Sequence, residues 1–118
     1  MTKSALEEYA SRYLRTGDED AFHSLIESGD ESLEVLASRL SINTSKEVAE
    51  ILQEIRTERV TLFLQEQLKA ADTESCWRIF AEALAYQANP GKEFYEVEKK
   101  RLESLGRYNE AKYCESFF

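Results

Sequence analysis

The chain has 118 residues, of which 42% are hydrophobic and 32% charged, and its formal net charge is −8. A chain of this length fits one domain with a modest core, and apolar residues recur too regularly for a disordered protein. The acidic balance argues against nucleic acid as a partner, because binding to phosphates requires a basic patch.

The sequence carries no pattern for membrane targeting or membrane spanning. Its N-terminus lacks the apolar core of a signal peptide, and no run approaches the roughly 20 apolar residues that cross a bilayer. Cys76 and Cys114 stand apart without a C-x-x-C pair, which is typical of reduced thiols. We therefore expect a cytoplasmic protein, one domain over residues 1–118, that does not bind membranes.

Apolar residues spaced three and four apart predict helices along the whole chain. The first three apolar faces fall at residues 6–14, 22–26 and 33–40, with Gly17 and Gly29 between them. A fourth helix is predicted over "NTSKEVAEILQEI". Its Thr44 and Glu47 have the spacing of a capping box, in which each side chain bonds the backbone of the other residue.

The second half of the chain predicts four more helices. The fifth has its apolar face at residues 60–68, and the sixth reads "DTESCWRIFAEALAYQ". The seventh is predicted to start with Asn89 as N-cap and Pro90 in the first turn, where its missing N–H is harmless, and to end at Gly106. The eighth runs from about Tyr108. No segment alternates with period two, so the predicted fold is all-α with about eight helices.

The middle of the chain repeats its own apolar pattern. One set recurs 28 residues later and another recurs 29 residues later, which is what two stacked helical pairs require. The first set, Val35, Leu36 and Leu40, returns as Phe63, Leu64 and Leu68; the second, Val48, Ile51 and Ile55, returns as Trp77, Phe80 and Leu84. We expect a short right-handed α/α solenoid with these residues in one core. The first two helices do not match the pattern, so a further repeat there is left open.

Residues 32–86 resemble a HEAT-type repeat, most clearly in "ERVTLFLQEQLKAADTESCWRIFAEALA". Asp72 and Arg78 match an Asp and an Arg six residues apart in that family. The resemblance implies that Asp72 caps the second helix and that Arg78 helps to join neighbouring repeats. The earlier copy departs from the family, with Asn43 and Ala49 at these positions, and neither copy has the usual first-helix Pro.

The C-terminal segment resembles a tetratricopeptide unit, although more weakly. Leu105, Gly106, Tyr108 and Ala111 match the L-G-x-Y-x-x-A pattern of that family's turn. Glu98 departs from it, because the family has a small residue where its two helices cross. Both resemblances imply stacked helical pairs.

The stretch from residue 17 to residue 34 holds seven acids and neither Lys nor Arg. Acids just before a helix, or in its first turn, bond backbone N–H groups and favour the helix dipole. Four acids of the stretch have such a position at the start of a helix: Asp18, Asp20, Asp30 and Glu31. Glu34 has no such use, and Glu27, in the last turn of its helix, opposes the dipole. The stretch is either a solvated, capped surface or a surface for a partner.

A second acidic feature lies on the fourth predicted helix. Glu47, Glu50 and Glu54 have the spacing i, i+3 and i+7, which places them on one helical face. Lys46 can pair with Glu50, whereas Glu54 meets the like charge of Glu58 four residues on. This stripe is either an exposed face or part of a binding surface.

The sequence offers little material for catalysis. His23 is the one histidine, so any triad or Cys/His pair would have to use it. There is no metal-ligand spacing, and there is no G-x-G-x-x-G or Walker loop for a nucleotide. We therefore predict no catalytic residue, metal or cofactor. Among the aromatics we expect Trp77 in the core, and Phe117 and Phe118 either capping the core or anchoring a partner.

Taken together, these features predict a non-enzymatic protein-binding module with a basic protein as partner. A small acidic inhibitor, such as an immunity protein that neutralises a toxin, fits because negative charge speeds encounter with a basic protein. An adaptor or chaperone-like module that holds a peptide is the alternative, and a small helical enzyme subunit is a further one. The acids least explained by helix chemistry are the predicted binding residues: Glu27, Glu34, Glu47, Glu50 and Glu54.

Overall fold

The computed structural model describes residues 1–88 and 91–117, which contain eight α-helices and a terminal 3-10 turn. The helices are α1 (Lys3–Thr16), α2 (Glu19–Glu27), α3 (Asp30–Ser38), α4 (Ser45–Leu52), α5 (Glu58–Ala70), α6 (Glu74–Ala85), α7 (Lys92–Ser104) and α8 (Tyr108–Cys114). The 3-10 turn spans Glu115–Phe117. No strand occurs within the described residues, so the all-α fold of eight helices is confirmed.

Four helices begin at a side chain that caps the backbone. Asp18 accepts a hydrogen bond from the Ala21 N–H at 2.9 Å, which confirms one of the caps expected from the acidic stretch. Threonines cap the other three, α1, α5 and α6. At α6 the cap is Thr73, whose Oγ1 accepts from the Cys76 N–H at 3.2 Å. Asp72 therefore does not have the capping role that the HEAT resemblance implies.

The predicted capping box of α4 is wrong. Thr44 makes no side-chain bond to the helix it precedes. Its Oγ1 instead donates to the Arg39 carbonyl and accepts from the Ser41 N–H, both at 2.8 Å. Thr and Ser side chains often bond a nearby loop in this way at the expense of a helix end. The helix is also shorter than predicted, because it ends at Leu52.

The seventh helix begins at Lys92, after Gly91 in a left-handed conformation with φ 93°. A Cβ at Gly91 would lie 2.8 Å from Nε2 of Gln65, so both the conformation and the close approach favour glycine here. The predicted cap Asn89 and Pro90 lie outside the described residues.

The helices stack in two rows. Each helix contacts its successor within the pairs α1/α2, α3/α4, α5/α6 and α7/α8. The first helices α1, α3 and α5 contact one another in order, and so do α2, α4, α6 and α8, which we call the second-helix row. The described part of the molecule is elongated, 43 × 26 × 19 Å. Helical pairs are therefore stacked side by side, whereas the right-handed solenoid and its HEAT relationship stay predictions.

The residues that repeat in the sequence meet in one core. Val48, Ile51, Ile55, Trp77 and Phe80 are all buried in the same apolar cluster, and Phe63 packs against it half-buried. The expected burial of Trp77 is confirmed at 0% exposure. Burying a side chain of this size is among the largest single contributions to a core.

The last helical pair holds a charged group inside the core. Glu98 is only 2% exposed and accepts a hydrogen bond from the Trp77 indole N–H at 3.2 Å. Its two oxygens also accept from the Arg101 guanidinium at 2.6 and 2.7 Å. Phe117 stacks on Tyr95 with 4.0 Å between ring centroids, so Phe117 caps the core, while Phe118 lies outside the described residues.

Candidate functional site

A groove of about 450 Å³ runs between α4 and α6 on the second-helix row. We call it the α4–α6 groove. The α4 side supplies Lys46, Ala49, Glu50 and Gln53, and the α6 side supplies Ile79, Glu82, Ala85 and Tyr86. Tyr113 of α8 completes the lining. The groove therefore combines small or apolar side chains with one acid on each side.

Glu50 links the α4 side of the groove to the first helix. The Tyr13 hydroxyl donates to Glu50 Oε2 at 3.1 Å, and no other hydrogen bond to Glu50 occurs among the described residues. Burial, followed by the charge of Glu50, raises the pKa of Tyr13 to about 12, and Glu47 acts in the same direction. Glu50 thus has a structural use, and it still presents a carboxylate to the groove.

The α6 side of the groove contains residues that were not predicted from the sequence. Glu82 is exposed and has no hydrogen bond or ion pair with any described residue. Tyr86 is 51% exposed although it is large and aromatic, and Ile79 is half-buried. The polar face of the sixth predicted helix was the only available signal for Glu82, and nothing local marks Tyr86 as exposed.

Tyr113 connects the groove to the core and to the last helical pair. Its ring meets the edge of Trp77 at 5.4 Å between centroids, and the Arg78 guanidinium lies 5.2 Å from its ring centre. Burial is the main cause that raises the pKa of Tyr113, and Glu82 adds to it while Arg78 opposes it. Arg78 also pairs with Glu74 at 3.4 Å. Arg78 therefore does contact the following helical pair.

The structure divides the five predicted binding acids. Glu47 and Glu50 lie on α4, but Glu54 follows the end of that helix, so the predicted three-residue stripe is not one helical face. Glu27 is the last residue of α2 and is exposed, with no hydrogen bond or ion pair among the described residues. Glu34 lies on α3, where it pairs with Lys3 at 3.4 Å.

Glu34 is separated from the other predicted acids by its position in the fold. With Lys3 and Glu31 it lines a different groove, of about 210 Å³, that is formed by α1 and α3. It therefore does not join Glu47 and Glu50, and its charge already has a partner.

Another groove, of about 370 Å³, lies beside the loop after α3 and the turn before α6. Its lining includes Leu40, Phe80, the carboxylate residue Asp72, and Ile42, which is 86% exposed. None of the predicted binding acids lines this groove.

The remaining chemistry of the described residues is sparse. His23 is exposed and contacts Phe22 edge-on, with 5.5 Å between ring centroids. In residues 1–88 and 91–117 there is no group of three or more His, Cys, Asp or Glu that could hold a metal ion. Nor does any helix in these ranges have the length and apolar character to cross a membrane.

Comparison with protein-family models, with curated protein sequences and with solved structures finds no match to this chain. The likeness to HEAT-type and tetratricopeptide repeats therefore stays a resemblance.

Proposed function

We propose that the protein is a protein-binding module that takes a basic partner on the exposed side of its second-helix row. The observation that carries the proposal is the α4–α6 groove, in which Glu50 and Glu82 flank small and apolar side chains. A surface of this kind can bury apolar area and attract a cation at the same point. The net charge of −8 adds long-range attraction for a basic protein.

Within this class we favour a dedicated inhibitor of a basic toxin, an immunity protein. A toxin that cleaves nucleic acid has a basic surface for its substrate. An acidic protein is attracted to this basic surface as the nucleic acid is, because both carry negative charge. Electrostatic steering therefore speeds the association of the inhibitor with the toxin. The net charge supports this choice, and so do the exposed acids Glu27 and Glu82, which form no ion pair within residues 1–88 and 91–117.

An adaptor that holds a peptide is the second candidate. The observation in its favour is the groove itself. A concave site of about 450 Å³ can accommodate a few side chains of a peptide, which a flat surface cannot. A toxin inhibitor should bind one folded partner, whereas an adaptor should bind several partners through one short segment. The number of partners therefore separates the two candidates.

The experiment starts with co-purification of the partner from the native host. The association rate is then measured for the parent, for a Glu27→Lys/Glu54→Lys variant and for a control, Glu96→Lys/Glu103→Lys. All four glutamates are exposed, and the control pair lies on α7, outside the second-helix row. We expect the first variant to associate at least tenfold more slowly than the control, although both change the net charge equally.

The salt dependence of the association rate is an independent test of the same complex. Because the Debye length shortens from ~10 Å at 0.1 M to ~3 Å at 1 M salt, the association rate of the parent should fall over this range. A rate that is indifferent both to salt and to the Glu27 and Glu54 reversals would rule out a basic partner attracted by these acids.

A further inference from the structure

We propose that the α4–α6 groove anchors a basic amphipathic helix of the partner, with one arginine or lysine held between Glu50 and Glu82. The inference rests on the proposed function and names the part of the partner that is recognised. A helix laid between two neighbouring helices is a common way for a groove to bind a protein segment, through side chains three and four residues apart.

The dimensions of the groove suit a short helix. Its sides, α4 and α6, have 8 and 12 residues, which at 1.5 Å per residue correspond to about 12 and 18 Å. A partner helix of two to three turns covers this length. It would present two or three side chains to the groove, which is enough for one cation and one or two apolar groups.

The charges of the groove select a cation. Its lining has two carboxylates, Glu50 and Glu82, and one cation, Lys46. Lys46 is exposed and forms no ion pair with either carboxylate within the described residues. Glu82 is without a partner there, and Glu50 uses only Oε2, for the Tyr13 hydroxyl. A guanidinium or ammonium group that enters the groove therefore meets two carboxylates and displaces no existing ion pair.

The uncharged lining suits the apolar side of the same helix. Ala49 is buried and Ile79 is half-buried, so apolar side chains of the partner can pack against this part of the lining. Tyr86 stands beside it and is half exposed. Tyrosines of this kind often contribute much of the binding energy of an interface, since they bury apolar area and keep a polar hydroxyl at the rim. Excluding water there also strengthens the attraction between the cation and the acids.

The test uses a phage-displayed library of random 16-residue peptides, selected on the parent protein. Peptides that also bind a Glu50→Gln/Glu82→Gln variant are removed in each round. Glutamine at position 50 still accepts the Tyr13 hydrogen bond, and the thermal unfolding of the variant is measured to verify that it folds. We expect the enriched peptides to share an Arg or Lys with an apolar residue three or four positions away.

Synthetic versions of the enriched peptides give the quantitative readout. Their affinity should fall at least tenfold for the Glu50→Gln/Glu82→Gln variant, and also when the shared Arg or Lys of the peptide becomes Gln. The control Glu96→Gln/Glu103→Gln has the same change of net charge on exposed residues of α7, and its affinity should stay within twofold of the parent.

Three results would overturn the inference. The first is a library that yields no peptide sensitive to Glu50→Gln/Glu82→Gln. The second is a consensus without a basic residue, and the third is a protein that self-associates through the groove in analytical ultracentrifugation. If the native partner still responds to salt and to Glu27→Lys/Glu54→Lys in any of these cases, the proposed function stands and only the anchoring helix is wrong. If the partner responds to neither, the proposed function itself fails.

Discussion

A buried hydrogen bond joins Trp77 of α6 to Glu98 of α7. Trp77 supplies an indole N–H that is entirely buried, and Glu98 is the acceptor for it. Arg101, about one third exposed, balances the carboxylate charge from the protein surface. A buried carboxylate is tolerated when it is paired and its lone pairs are used, and both conditions are met here. The departure from the tetratricopeptide pattern at Glu98 is thus explained by a specific contact.

Glu98→Ala should lower the free energy of unfolding by about 1–3 kcal/mol, because the Trp77 N–H would lose its acceptor inside the core. The matched control is Glu96→Ala on the same helix, which removes an exposed glutamate and should change stability by about 0.5 kcal/mol or less. Urea unfolding followed by circular dichroism measures both. Equal losses in the two variants would show that the buried contact contributes nothing.

Trp77→Ala should cost about 3–5 kcal/mol, since a fully buried aromatic side chain leaves a large cavity. Its ring also supports Tyr113 beside the α4–α6 groove, so the variant should weaken partner binding as well. Trp77→Phe keeps part of the apolar volume but removes the N–H that Glu98 accepts, so it should lose less stability than Trp77→Ala and more than an exposed substitution. A Trp77→Ala protein as stable as the parent would contradict the packing of the repeated apolar residues in one core.

At the scale of the elements, the start of α4 is decided by the loop that precedes it. The Thr44 hydroxyl forms hydrogen bonds with the loop residues Arg39 and Ser41 and none with α4. Thr44→Val keeps the branched shape but loses both bonds, so it should destabilise the protein by about 1 kcal/mol. Glu47→Ala should cost about 0.5 kcal/mol or less, because no capping box is formed. Thermal unfolding of the two variants decides the matter: similar losses of about 1 kcal/mol would favour the capping box instead.

The end of α2 carries a charge that does not serve the helix. Glu27 is the last residue of α2, and no basic residue occurs in its last turn. Glu27→Lys should therefore raise the free energy of unfolding by about 0.3–1 kcal/mol at low salt, and high salt should remove the gain. The same substitution is expected to slow partner association. If the variant is less stable and associates with the partner as fast as the parent does, Glu27 stabilises the fold and does not bind the partner.

At the scale of the whole molecule, burial makes the fold sensitive to alkaline pH. Burial is the main cause that raises the pKa of Tyr13 from 10.0 to about 12, and that of Cys114 from 9.0 to about 12. Burial also raises the pKa of Tyr95. For each group the folded pKa lies above the unfolded one, so its contribution is complete below pH 9 to 10 and is lost as the pH rises towards 12.

The free energy of unfolding should therefore not change with pH through these groups up to about pH 9, and it should fall steeply between about pH 9 and 12. Urea unfolding at a series of pH values measures this. Tyr13→Phe removes one of the titrating groups, so its stability should fall less steeply with pH than that of the parent. Stability that is constant up to pH 12 would contradict the raised pKa values.

Local chemistry in the sequence was sufficient for the helices and for much of the core. Apolar spacing gave eight helices, because a helix must bury one face wherever it lies. The 28- and 29-residue recurrence placed Trp77 and Ile51 in one cluster. Asp18 was recognisable as a cap because the hydrogen bond that it accepts spans only three residues.

The candidate site was less predictable, because its residues come together only through packing between distant elements. Glu50 meets Tyr13 across 37 residues, and Trp77 meets Glu98 across 21. The role of Thr44 depended on which of two local hydrogen-bond patterns the loop before α4 allowed. Charge alone did not separate Glu50 from Glu34, which packing places on another helix row. The sequence by itself determined which faces are buried, since that follows from spacing along one helix. Only the tertiary structure decided which acids share a groove, since that depends on how α4, α6 and α8 lie side by side.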